Sequence, residues 1–451
     1  MNTLRARRFL LLLLFAAILL SLAMAAQPVL SVTVAGQGLS APFRLSAQQE
    51  PDDPSSPTDA SGPVVGPQRA ITCPPAAVDL APGTDIQRAV DAYPGGTAFC
   101  LKAGVHSITS AITPKSGDIF VGEYGAVLDG TRWRTDDLTQ AAFRAHNQDI
   151  DDVTIRNLVI QHMPQRGIHA FPWMSDRWIV EYTEITGGQV GIQVGNQSVV
   201  RHSWIHHNVG NPFSPVPAER GGAYSVYQST DVLFEDNEIS FNGPEQKVSL
   251  STNVTFRDNF VHHNRGDGIW YDGDNIGSII ERNLVEDHQG SGIFYEISGG
   301  GVIANNVVRR SGEHGVFIST SKDVEIYMNS VEDNFRGIQY FVDCSRVGGG
   351  AIGWDLANDL AHDNLVSVGG ASGSYASGLS LSACAPTQFA AYVNGSKRLL
   401  FANNRYSVPS TGGSYWLWGV TLSPFSDWQM LGLDSQGSVF PQLTIRSRQS
   451  R

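Results

Sequence analysis

VLFEDNEI (232–239), VTFRDNFV (254–261), SIIERNLV (278–285), GVIANNVV (301–308) and VEIYMNSV (324–331) follow one pattern. The third and eighth positions are aliphatic or aromatic and the sixth is asparagine, so Asn237, Asn259, Asn283, Asn306 and Asn329 recur every 22 to 24 residues. Short apolar alternation interrupted by one polar bend residue predicts strand, bend, strand. A fixed period of this length predicts a parallel β-solenoid, in which each repeat is one coil.

Working outward, WIVEYTEI (178–185) and SVVRHSWI (198–205) extend the pattern towards the N-terminus, and DLAHDNLV (359–366) and LLFANNRY (399–406) extend it towards the C-terminus. A second strand follows each row by about ten residues: GIQVG (191–195), GIWYD (268–272), GIFYE (292–296), GVFIS (315–319) and GIQYF (337–341). The asparagines stack one coil apart and satisfy one another inside the core, which makes them structural.

These coils resemble the right-handed parallel β-helix of the pectin-lyase-like superfamily, in which inward asparagines form a ladder. The resemblance covers roughly residues 75 to 445 and implies an all-β, single-stranded right-handed parallel β-helix with an N-terminal capping helix. TDIQRAVDAYPGGTAFCLKAGVH (84–106) looks like the superfamily's first coil, with Ile86, Ala89 and Val90 at helical spacing and Thr84 as N-cap. The ending SDWQMLGLDSQGSVFPQ (426–442) is similar to the terminal segment of many secreted bacterial proteins of this kind.

Residues 1–25 carry Arg5, Arg7 and Arg8, an apolar run from Phe9 to Leu22, and small residues at Ala23 and Ala25. This predicts a secretory signal peptide, with a retained membrane anchor as the alternative. Residues 26–72 form a Pro/Ser-rich flexible leader, 73–445 the β-helix domain and 446–451 a basic tail. The expected location is extracellular, in the periplasm or at the cell surface, as a monomer with no stable membrane insertion after cleavage. Cys73, Cys100, Cys344 and Cys384 include no C-x-x-C pair; in a secreted chain Cys73–Cys100 and Cys344–Cys384 is the favoured pairing, although four cysteines allow three connectivities.

The formal charge is −12, or −15 without the three arginines of residues 1–25, and lysine occurs only at 102, 115, 247, 322 and 397. An acidic exterior repels nucleic acid and anionic membranes, which excludes both as expected partners. It also disfavours a polyuronate unless a cation intervenes. The period is broken between Ser203 and Asn237 and between Asn329 and Asn364; the insertions 211–224 and the one holding Gly348, Gly349 and Gly350 must leave the coil as loops, which commonly wall a groove.

Alternation places Ile269, Tyr271, Ile293 and Tyr295 inside, and Trp270, Asp272, Phe294 and Glu296 outside. The predicted outer columns run Phe171, Gly195, Tyr227, Ser251, Asp272, Glu296, Ser319, Phe341 and, beside it, His169, Gln193, Ser225, Ser249, Trp270, Phe294, Phe317, Gln339. Asp272 and Glu296 then stack with carboxyl groups about 5 Å apart, near the ~5–5.5 Å of a retaining glycosidase. Two such acids do not readily ionise together, and an apolar wall of Trp270 and Phe294 raises one of them. Asp272 is assigned as nucleophile and Glu296 as acid/base. Some β-helix glycoside hydrolases resemble this arrangement, the match resting on GIWYD and GIFYE alone.

The expected partner is a polysaccharide or oligosaccharide, bound by Trp270, Phe294, Tyr227, Arg265, His314 and Phe317. No cofactor is required, but Asp272, Asp274 and Glu296, with Asn275 nearby, form an alternative calcium set. Stacked acids on a plain solvated face are a third reading. His288, Asp267, and the pairs His206/His207 and His262/His263 read as turn residues, with metal binding at the paired histidines as the alternative. Two other functions stay open: a polysaccharide lyase or epimerase using a cation, with Arg265, Lys247 or His314 in the chemistry, and a non-catalytic carbohydrate-binding or surface β-helix. The several-aspartate and G-H-G signature of polygalacturonases is missing; Glu313-His314-Gly315 echoes it in part.

Overall fold

The computed structural model describes residues 63–171, 174–210, 220–369 and 371–442; the expected signal peptide, most of the expected leader, most of the first insertion and the basic tail lie outside them. The repeats build a parallel β-helix in which the coils feed three long sheets of 13, 13 and 12 strands. The opening of each row lies in the first sheet (Leu233–Glu235, Thr255–Arg257, Ile279–Glu281) and its end in the second (Glu238–Ser240, Phe260–His262, Leu284–Glu286). The strand that follows, such as Ile269–Asp272, lies in the third. The named pairings are parallel except for Trp416–Trp418 against Thr421–Ser423.

The bend between first and second sheet has a simple local cause. Asp236, Asp258, Arg282, Asn305 and Met328, each just before a ladder asparagine, take φ between 52° and 57°. A single left-handed residue turns the chain sharply, at a cost that Asn and Asp tolerate best. The following asparagine then points inward. Asn237 Nδ2 donates to Asn259 Oδ1 at 3.0 Å, and the chain of bonds continues through Asn283, Asn306, Asn329, Asn364 and Asn404 to Asp434 Oδ2. Each Oδ1 also accepts a main-chain N–H from the coil before it, as Asn283 does from Asn259 at 3.0 Å. The polar groups that the bend buries are thereby satisfied, where each orphan would cost about 1–3 kcal/mol.

Two further inner ladders were not foreseen. Asn208, Asn242 and Asn264 repeat the arrangement at the next bend, with Asn208 Nδ2 and Asn242 Nδ2 each donating to the following Oδ1 at 3.1 Å. Ser229, Ser251, Asn275, Ser298 and Ser321 line the third bend, each main-chain N–H bonding the next coil's side-chain oxygen. Between the ladders the core is aliphatic and aromatic, with Phe234 and Phe256 stacked at 4.6 Å and Tyr271 and Tyr295 wholly buried.

The capping helix spans Ile86–Ala92, with Ile86 and Val90 buried. Its N-cap is Asp85, not Thr84: Asp85 Oδ1 accepts from Arg88 N–H at 3.0 Å. Thr84 is one residue too early, because its own N–H closes a turn on Ala81 O. At the other end Phe425–Met430 forms a short helix whose Trp428 meets Phe401 edge-on. Cys73 pairs with Cys100 and Cys344 with Cys384. Residues at the end of the leader segment are held against the coils, with Gly66 N–H donating to His202 O and Gln68 N–H to Asn157 Oδ1.

Candidate functional site

The outer face of the third sheet carries the candidate residues. Strands Ile269–Asp272 and Ile293–Glu296 run in register, with Trp270 beside Phe294 and Asp272 beside Glu296. Ile269, Tyr271, Ile293 and Tyr295 fill the core, so the four outer residues are held on a rigid strand pair.

One coil earlier the predicted register needs correction. Val248 lies opposite Tyr271, which sets Lys247 beside Trp270 and Ser249 beside Asp272. Ser251, expected on the outer face, is inside, where its N–H bonds Asn275 Oδ1. The cause is the length of the turn: Gly273 and Asp274 both take positive φ before Asn275, whereas Leu250 alone does so before Ser251. Its consequence is a lysine in the site.

Lys247 Nζ lies 2.9 Å from Asp272 Oδ2 and 4.8 Å from the Trp270 ring centroid. Burial opposes the charge on Lys247, but the Asp272 carboxylate outweighs it and the ammonium pKa is raised. Glu296 is raised by burial first and by the charge of Asp272 second, against the opposing pull of Arg346 and of Trp270, whose Nε1–H donates to Glu296 Oε2 at 3.3 Å. The two acids therefore have different surroundings: an ammonium holds Asp272, while Glu296 keeps its proton to higher pH.

Arg346 reaches Glu296 Oε1 from the second insertion. That loop leaves the strand Arg336–Asp343, is tied by the Cys344–Cys384 bridge, and folds back along the flank of the groove. Asp274 anchors it, accepting from Ala351 N–H at 2.9 Å, Ile352 N–H at 3.2 Å and Trp354 Nε1–H at 2.8 Å. Lys322 Nζ adds a bond to Ile352 O at 2.6 Å.

The residues of the alternative calcium set each face another partner: Asp272 faces Lys247, Glu296 faces Arg346, Asp274 turns to the loop and Asn275 points into the core. Among the described residues no group of three or more His, Cys, Asp or Glu is placed to hold an ion.

The expected aromatic row is present and half-buried. Trp270 and Phe294 lie parallel at 5.8 Å, Phe294 and Phe317 at 4.8 Å, and Phe341 continues the row at 5.9 Å from Phe317. Tyr227 stands in the same outer column, opposite Ser249. Arg265 does not join the site: it is exposed on a turn and forms no ion pair with a described carboxylate.

The histidines sort differently. His314 is buried, stacked on Phe317 at 4.2 Å, with Nδ1 3.2 Å from Ser291 Oγ and Nε2 3.2 Å from Arg336 Nη1. Burial pushes it down to about 3, so it is neutral and accepts from Arg336. His288 belongs to the second ladder, where Nδ1 accepts from Asn264 N–H and Nε2 donates to Val261 O; burial pushes it down to about 3 as well. Asp267 accepts from Ser291 N–H at 2.6 Å and is pushed up to about 7, chiefly by burial. His206 and His262 lie in the second sheet, each 3.2–3.3 Å from a glutamate of the coil before it. Sequence reasoning missed Arg346 and Arg336 altogether and placed Lys247 outside the pair, because the strand step of 23 residues from Val248 to Tyr271 differs from the inner step of 24 from Ser251 to Asn275.

Residues 217–349 match the family model of a right handed beta helix region. The chain is a right-handed parallel β-helix. No curated protein sequence matches it. Among solved structures this β-helix is similar to the A-module of mannuronan C-5 epimerase AlgE6 of Azotobacter vinelandii, with 15% identity, a TM-score of 0.57, and 79% of this chain and 94% of that chain covered. It is also similar to PfbA, a surface adhesin of Streptococcus pneumoniae, with 9% identity, a TM-score of 0.50, and 82% and 93% covered. At these identities the likeness defines the β-helix architecture. Among the described residues, no helix is long and apolar enough to cross a membrane.

Proposed function

We propose that the chain is a secreted glycoside hydrolase whose working pair is Asp272 and Glu296, acting on a polysaccharide in the groove over the third sheet. The observation that carries this reading is the asymmetry of the pair, with Glu296 raised by burial and Asp272 held by Lys247. Coils spaced ~4.8 Å apart set two such carboxyls near the ~5–5.5 Å of retaining enzymes. Glu296 gives its proton to the glycosidic oxygen as that bond breaks, and Asp272 forms the bond to the anomeric carbon. Water then attacks that carbon, Glu296 takes the proton, and Asp272 leaves. Trp270, Phe294 and Phe317 offer flat apolar faces to sugar rings.

The N-terminal basic, apolar and small-residue pattern and the two disulfides support secretion. The test is hydrolysis of a polysaccharide panel by wild type, Asp272→Asn and Glu296→Gln, with the anomeric configuration of the first product followed by NMR. Retention in wild type and loss in both variants supports the reading; full activity in either variant removes it.

A second reading has one specific observation behind it: Lys247, Arg346 and Arg336 all line this face, supplying cations for a lyase or epimerase. A mannuronan C-5 epimerase shares the architecture. Ultraviolet absorbance of a new double bond, or inversion at C5, would favour it over hydrolysis.

A further inference from the structure

Beyond Glu296 the third sheet continues through the strands His314–Ser319, Arg336–Asp343 and Tyr375–Ser382. Their outer residues enclose a concave pocket of about 310 Å³, lined by Phe317, Arg336, Gln339, Phe341, Tyr375 and Ser380 among others. That leaves room for a sugar ring. In register, Phe341 lies two coils past Glu296, at ~10 Å by strand spacing.

Arg336 is unlike the arginines that pair along the coils, such as Arg309 with Glu286 and Arg310 with Asp287. It forms no ion pair with a described carboxylate. Its guanidinium lies between the rings of Phe335 and Tyr375, at 4.9 and 5.4 Å. Nη1 donates to His314 Nε2, and Nε is buried without a partner. Because His314 is neutral, it orients the guanidinium without balancing its charge. A half-buried cation with a buried donor left unpaired is completed best by an anion.

The polar groups around it are fixed. Tyr375 O–H donates to Gln339 Oε1 and Gln339 Nε2–H donates to Ser380 Oγ. Gln339 is 4% exposed and Tyr375 6%, so these groups are set in a wall and do not wave in solvent. A planar fork of N–H donors matches a carboxylate or sulfate two bonds at a time. Phe317 and Phe341 supply apolar walls for a ring.

We propose that this pocket is a binding subsite for a sugar bearing a carboxylate or sulfate group, with Arg336 as the anion clamp and Phe317 and Phe341 as the ring walls. The proposal rests on the groove taking a glycan but not on the hydrolytic pair. Titration calorimetry of the intact protein at low salt, with glucuronate, glucose 6-sulfate, glucose and inorganic sulfate as probes, tests it. The two charged sugars are expected to bind at least tenfold more tightly than glucose and than inorganic sulfate. Arg336→Gln should weaken them tenfold or more and Arg336→Lys by less, while Asp272→Asn and Glu296→Gln leave their binding intact even where hydrolysis is lost. Glucose binding as tightly as glucuronate overturns the proposal in the wild type alone, whatever the variants do. Inorganic sulfate matching the charged sugars overturns the sugar subsite, and unchanged binding in a folded Arg336→Gln overturns the clamp.

Discussion

Lys247 Nζ sits 2.9 Å from Asp272 Oδ2, one coil away on the same outer face. The ammonium is the counter-charge that lets Asp272 stand beside Glu296. Replacing Lys247 with methionine keeps the stem over Trp270 and removes the charge. On the proposed mechanism kcat falls about tenfold or more across the pH range, because the nucleophile loses the ammonium hydrogen-bonded to it. A pH profile of kcat in both proteins checks this.

Arg346 acts on the other acid. It lowers the Glu296 pKa against burial and Asp272. In Arg346→Gln that pull is gone, Glu296 keeps its proton to still higher pH, and the basic limb of the profile moves up. Cys344→Ser with Cys384→Ser releases the loop that delivers Arg346 and should shift the basic limb the same way. The double variant also loses up to about 4 kcal/mol of loop restraint for a bridge spanning 40 residues, read as an earlier denaturant midpoint.

The ladder makes its own prediction. Asn283 accepts from both Asn259 N–H and Asn259 Nδ2 and donates to Asn306 Oδ1 and Phe256 O. Asn283→Ala strands buried donors on Asn259 and should cost of order 3 kcal/mol. Chemical denaturation would show this as a lower midpoint, with hydrogen exchange fastest in the neighbouring coils.

Acid sensitivity follows from His288. Its folded pKa, about 3, lies below the ordinary histidine value of 6.5. The unfolded chain therefore binds the proton more readily, and the stability from burying the neutral ring is present above about pH 6.5. It is lost as pH falls from there towards 3, at up to ~1.4 kcal/mol per pH unit. His288→Asn places an amide in the asparagine ladder without a titrating ring. The variant should unfold less steeply with acid between pH 6.5 and 4 than wild type, as followed by urea midpoints.

The coil repeat was legible because its cause is local: one left-handed residue, one inward asparagine and a β-alternation, each visible in eight residues. The inward and outward division at Trp270, Asp272, Phe294 and Glu296 was legible for the same reason. Lys247 was not, since its place depends on a turn one residue longer at Gly273-Asp274 than at Leu250. Arg346 lay further out of reach. Nothing near it in sequence points to Glu296; the loop's bridge at Cys344–Cys384 and the anchorage of Ala351 on Asp274, 77 residues earlier, bring it there. His288 looked like a turn residue because a polar ladder position has the same composition as a solvated turn.

The most direct measurement is reducing-end release from a polysaccharide panel by wild type, Asp272→Asn and Glu296→Gln, with thermal melts to show that each variant is folded. The account predicts hydrolysis of at least one glycan by wild type and a fall of roughly 10²–10⁴-fold or more in each folded variant. Wild-type rates in either folded variant would contradict it.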